Sequence, residues 1–163
     1  MNTLQSRKSV MIFVLSFTIA YVCFLNLPAV AQTNEQVAKE VIAVAKAQWA
    51  AQRDKQPASV WMKNIAEEYT EFNPDSPTRL DGKALNGRLG DALASGSGEF
   101  VADEMFNEKV QVYGDVAILS YNYVGVDKDK DGKVASTFVQ STRVYVKKDG
   151  KWMLVHANFA SVN

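Results

Sequence analysis

Apolar positions in this chain follow two different periods, and the change falls near Gly98. Before it, apolar residues recur at helical spacing. Val37, Val41, Val44, Ala45 and Trp49 fall near one face, with Lys39, Glu40 and Lys46 off it. Thr33-Asn34-Glu35-Gln36 reads as a capping box, so the first helix is predicted over 34–52. Arg53 to Pro57 breaks it. Ser59 can cap a second, shorter helix through Val60, Trp61 and Ile65, reaching towards Tyr69. Asn73-Pro74-Asp75-Ser76-Pro77 is a loop, because proline suits the interior of neither helix nor strand. A third helix over 82–94 places Leu85, Leu89 and Leu93 four apart, and Ser95-Gly96-Ser97-Gly98 ends it.

After Gly98 the period is two, the signature of strands. Four are predicted: 100–112, bent around Phe106-Asn107-Glu108, then 116–126, 134–147 and 152–162. The links are Tyr113-Gly114-Asp115, a loop over 127–132, and Lys148-Asp149-Gly150. Links this short force an antiparallel meander. Helices first and strands after make the class α+β. The expected architecture is a cone-shaped roll, three N-terminal helices packed on a curved antiparallel sheet. The open end of such a cone is a natural pocket.

The first 31 residues follow a different rule. Arg7 and Lys8 precede an uncharged, largely apolar stretch from Val10 to Leu27, and Pro28-Ala29-Val30-Ala31 places small residues before polar Gln32. This is the layout of a signal peptide cut after Ala31, with an uncleaved anchor as the competing reading. The expected organisation is a leader over 1–31 and one domain over 32–163, secreted or periplasmic. Cleavage would remove two basic residues and no acidic one, together with Cys23, the only cysteine. The exported domain would then have no disulfide and no membrane attachment.

Composition narrows the function classes. The 163 residues include 18 basic and 18 acidic side chains, a balance that offers nucleic acid no basic field. One histidine, His156, excludes a two-histidine metal site within the chain. There is no glycine-rich phosphate loop, nucleophile elbow or HExxH motif, so neither a cofactor nor a metal is expected.

The run from Val110 to Leu119, with Tyr113-Gly114-Asp115 at its turn, resembles the SnoaL-like branch of the nuclear transport factor 2-like superfamily. So does Thr142-Arg143-Val144-Tyr145, followed by Asp149-Gly150-Lys151-Trp152 and Val155-His156. Within that branch it is similar to the association domain of calcium/calmodulin-dependent protein kinase II. The resemblance implies the cone-shaped roll, and a homodimer formed through the sheet or a larger ring. It matches Arg143 to one pocket arginine of association domains. Where those domains carry further arginines, this chain has Asn122 or Tyr123 and Phe159 or Ala160.

Arg143 is the sharpest candidate for chemistry. A guanidinium in mid-strand suits a bidentate carboxylate ligand; the alternative is a structural ion pair with Glu67, Glu68 or Asp103. His156 and Asn158 lie two apart on one strand face and could supply a general base or polar contacts. Tyr121 and Tyr123 likewise share a face, and Tyr123 could hydrogen-bond a ligand. Trp49, Trp61 and Trp152 could close the core or wall an aromatic pocket. The ligand-binding set is therefore Arg143, Tyr123, His156 and Asn158, with no residue assigned to catalysis.

Asp127-Lys128-Asp129-Lys130-Asp131-Gly132 imitates half a calcium loop, but position 12 is Phe138 instead of glutamate, which favours a hairpin loop. The expected function is binding of a small anionic or aromatic molecule in the cone by a homo-oligomer. The alternatives are a purely structural oligomerisation module, or an isomerase, cyclase or dehydratase that needs a carboxylate beside a tyrosine in the pocket. Glu67, Glu68, Glu71 and Asp103 offer carboxylates, and Tyr69 and Tyr123 offer phenols.

Overall fold

The computed structural model describes residues 32–96 and 98–162. The predicted leader lies outside the described residues. The first helix, α1 (Asn34–Arg53), begins with the expected capping box. Gln36 N donates to Thr33 Oγ1 at 3.2 Å, and Thr33 N donates to Gln36 Oε1 at 2.9 Å. Val37, Val41 and Ala45, four apart, are its buried stripe.

The second helix departs from expectation. It is a single turn, α2 (Ala58–Trp61), and its N-cap is Pro57 instead of Ser59. Ile65 and Tyr69 belong to a strand, β1 (Ile65–Phe72). The sequence Ile-Ala-Glu-Glu-Tyr suits either element, so long-range pairing decides. β1 lies parallel to the last strand, and Leu154 N donates to Asn64 O at 2.8 Å. Its register jumps from Ile65↔Leu154 to Thr70↔His156. Glu67 and Glu68 lie in the jump and reach Lys83 and Lys148 in exposed ion pairs.

A short strand, β2 (Leu80–Asp81), precedes α3 (Lys83–Gly96). Four long strands follow: β3 (Glu99–Tyr113), β4 (Val116–Lys128), β5 (Val134–Lys148) and β6 (Lys151–Ser161). The sheet order is β2-β1-β6-β5-β4-β3. The described sheet is therefore six-stranded and mixed, where four antiparallel strands were expected, because β1 joins the free edge of β6 in parallel. The predicted bend in β3 is a register shift between Phe106 and Lys109, with Asn107 at φ 56°.

The helices pack on one face of a curved, open sheet. Ala117, Leu119, Tyr121 and Tyr123, alternate residues of β4, meet Val37, Val41 and Ala45 of α1 in the core. α3 approaches α2 closely because Gly90 has no side chain. A Cβ there would stand 2.5 Å from the Trp61 ring. The hairpin loop is shorter than predicted, because Asp127 and Lys128 still pair with β5. Residues 129–133 form the turn, tied by Asp129, whose Oδ1 accepts from Asp131 N and Lys133 N, both at 2.9 Å.

Candidate functional site

A cavity of about 520 Å³ opens between α1, α3, the loop after β1 and the inner face of the sheet. Arg143 lines it and is 1% exposed. The guanidinium is surrounded by aromatic rings. Its carbon lies 5.0 Å from the centre of Trp49, and 5.5 Å from those of Tyr121 and Phe159. Its Nη1 donates to Gln48 Oε1 at 2.8 Å. Its Nε is buried without a partner.

The alternative of a structural ion pair does not apply among the described residues. Glu67 is held by Lys83, Glu68 by Lys148 and Asp103 by Arg53. The Lys148 ammonium also holds the exposed Glu68 carboxyl below its ordinary pKa. Arg143 is a buried cation among aromatic rings, the Gln48 amide and the Tyr69 and Tyr145 hydroxyls, with no carboxylate paired to it among the described residues, so an anion would complete its surroundings.

The remaining predicted residues lie elsewhere. Tyr123 is on the inner face but acts behind the cavity wall. Its ring stacks on Trp49 with centroids 4.3 Å apart, and its hydroxyl donates to Asp103 Oδ2 at 3.3 Å. Asp103 also accepts from Arg53 Nη1 at 2.9 Å. Burial and the Asp103 charge hold the Tyr123 hydroxyl protonated well above the ordinary tyrosine range. Trp49 Nε1 donates to Tyr121 Oη at 3.0 Å, so the indole that faces Arg143 is fixed from two sides.

His156 and Asn158 do share a face, but it is the outer one, and neither lines the cavity. Arg143 pairs with Ala157, while His156 pairs with Val144 and Asn158 with Thr142. The reason is an irregularity between Val144 and Tyr145. Tyr145 pairs with Leu154, which leaves Val155 as an extra residue on β6. Trp152 and Leu154 point inward, and strict alternation would have carried His156 inward with them. The bulge moves Ala157 and Phe159 there instead. His156 Nδ1 shares a 2.8 Å hydrogen bond with Thr70 Oγ1 and meets the edge of Phe72.

The sequence offers Tyr69 and Glu71 among its phenols and carboxylates, but a helix reaching towards Tyr69 does not bring the two together; the strand does. On β1, Tyr69 and Glu71 alternate onto the cavity side, and Asn73 follows in the same period. Tyr69 Oη donates to Glu71 Oε2 at 2.7 Å, and Asn73 Nδ2 donates to Glu71 Oε1 at 2.9 Å. Burial first, and Glu71 second, keep the Tyr69 hydroxyl protonated far above its ordinary range. The period-two spacing Tyr-x-Glu-x-Asn ahead of Pro74 was the available signal. Trp49 and Trp61 wall the cavity, and Trp152 is in the core. Among the described residues no group of His, Cys, Asp and Glu side chains is arranged to hold a metal ion.

Known proteins share this architecture. The association domain of the C. elegans kinase superposes with a TM-score of 0.65 at 21% identity, over 77% of this chain and 96% of that one. The S. rosetta hub gives 0.66 at 23%, over 82% and 100%. A Parabacteroides distasonis protein assigned provisionally to the ketosteroid isomerases gives 0.65 at 18%, over 80% and 91%. These likenesses concern the fold. No curated protein matches the chain. Residues 37–161 match the model of the calcium/calmodulin dependent protein kinase II association domain, and the chain belongs to that family.

Proposed function

We propose that this chain is an exported association-type domain. It assembles with copies of itself and holds a small anionic or aromatic molecule in its cavity, with Arg143 as the fixing charge. The observation that carries the reading is the buried Arg143 guanidinium, caged by Trp49, Tyr121 and Phe159 and in no ion pair among the described residues. The cage offers a carboxylate a charge-assisted bond and offers a ring flat apolar walls. Gln48 and Tyr69 border the same space.

Export rests on Arg7, Lys8, the uncharged stretch after them and Ala29-Val30-Ala31. Self-association is supported by the family and by the outer face of the sheet. No helix of the described residues covers that face, and Phe72, Phe106 and Phe138 are 40–50% exposed. Phe106 and Phe138 flank Asn122 and Val124 of β4 there.

Titration calorimetry with benzoate tests the cavity reading. The wild type should bind saturably and Arg143→Gln should not, with near-ultraviolet circular dichroism showing the variant folded. Equal affinity in the two proteins would overturn it. Native mass spectrometry of protein from a secreting host tests the rest. It should show subunits beginning at Gln32 in a homodimer or ring, and an uncut monomer would contradict both parts.

The Tyr69–Glu71 hydrogen bond favours a second reading, a cofactor-free isomerase or dehydratase with Glu71 as base. It requires exchange of a substrate carbon-bound proton with deuterated water that Glu71→Gln abolishes.

A further inference from the structure

The cavity carries charge of both signs, and the two signs are kept apart. Among the described residues Arg143 is the only cation in its lining, while Glu71 and Asp75 both border it from the β1 side. Glu71 does not neutralise Arg143 directly. Its two oxygens take hydrogens from Tyr69 and Asn73, and Arg143 gives its hydrogen to Gln48. The Asn73 side chain also accepts from Asp75 N at 3.0 Å, which binds the acidic side of the cavity into one turn. The Tyr69 hydroxyl donates to Glu71, and the Arg143 charge acts on the same hydroxyl.

Two buried atoms in the lining lack partners, and they are complementary in kind. Arg143 Nε is a donor without an acceptor, and Gln52 Oε1 is an acceptor without a donor. A plain carboxylate would satisfy the first atom only. It would also bring a third negative charge into a space that holds one positive charge. A molecule that carries an anionic group at one end and an ammonium group at the other would give Arg143 Nε an acceptor and balance the charges.

We infer that the ligand of this cavity is a zwitterion, with its anionic end on Arg143 and its cationic end on Glu71. The inference rests on the binding function proposed above and narrows it to a ligand class. An aromatic spacer between the two charged ends suits the walls formed by Trp49, Trp61 and Phe159.

The test compares 4-(aminomethyl)benzoate with 4-methylbenzoate, which has the same carboxylate and ring but no charge at the far end. By calorimetry the wild type should bind the amino compound at least about tenfold more tightly, the step expected for one added charge-assisted contact. Glu71→Gln should remove that preference and leave 4-methylbenzoate binding intact or stronger. Arg143→Gln should lose both compounds. If the wild type prefers 4-methylbenzoate, or if Glu71→Gln keeps the preference, the zwitterion inference falls and the Arg143 site stands. If neither compound binds the wild type, or Arg143→Gln binds both unchanged, the binding function itself falls.

Discussion

The two faces of β5 and β6 are made from neighbouring residues and do opposite things. On the inner face Arg143 and Ala157 sit opposite each other; Arg143 looks into the cavity with Phe159, and Ala157 is buried in the core. On the outer face Val144 and His156, then Thr142 and Asn158, look away from it. One extra residue, Val155, separates the two assignments. The histidine, the residue type most readily given a catalytic role, is thereby a sheet-surface residue bonded to Thr70. An arginine that could have been a structural ion in a pair is instead the buried charge of a cavity. Side-chain chemistry proposes a site, but strand parity decides which residues share it.

The largest way to break the contrast is to remove the inner cage. Trp49→Ala deletes the stack on Tyr123, the bond to Tyr121 and one wall around Arg143. It should cost about 3 kcal/mol or more in urea unfolding, in the range for truncating large aromatic side chains. A cost below about 1 kcal/mol, the range of ordinary surface changes, would mean that the inner face is not organised around this indole.

The inner face also has a pH signature. Burial raises the hydroxyl pKa of Tyr69, Tyr123 and Tyr145 above the unfolded value near 10. A raised folded pKa gives stability that is complete below the unfolded value and is lost as pH climbs beyond it. Stability should therefore be flat from pH 8 to about 10 and then fall, by up to about 1.4 kcal/mol per pH unit for each tyrosine. Denaturant midpoints between pH 8 and 11.5 check this, and Tyr69→Phe should make the fall shallower. Stability unchanged to pH 11.5 would contradict the burial of these hydroxyls.

Gly90→Ala sharpens the comparison at the helical wall. Alanine favours a helix by up to about 1 kcal/mol over glycine, yet its methyl group would lie 2.5 Å from the Trp61 ring. Overpacking should win, with a net loss of about 1–2 kcal/mol and a shift in tryptophan fluorescence. A more stable variant would show that the two helices can part freely.

The smallest effect is expected on the outer face. His156→Ala removes the bond to Thr70 and should cost about 1 kcal/mol or less, with benzoate affinity unchanged. A large loss of affinity would return His156 to the site.

Much of this fold could be read from the chain. The capping box at Thr33, the stripe on α1, the meander after Gly98 and the bend at Asn107 all follow from local rules. Three features did not. Ile65 to Phe72 is a strand because β6 has an edge to pair, and no local pattern reveals an edge so distant in sequence. The bulge at Val155 leaves no mark in the alternation of Trp152 and Leu154. Tyr69, Glu71 and Asn73 became legible as a group only once β1 was a strand. Arg143 was legible because a charged residue amid a strand's inward positions conflicts with burial, and such a conflict points to a function.

The most direct test of the central claim reads both faces at once. In nitrogen-15-labelled protein, the Arg143 Nε–H and His156 ring signals are followed during a titration with 4-(aminomethyl)benzoate. The account predicts that the Arg143 signal shifts saturably while the His156 ring stays fixed. A His156 ring that moves while Arg143 Nε–H stays unchanged would contradict it.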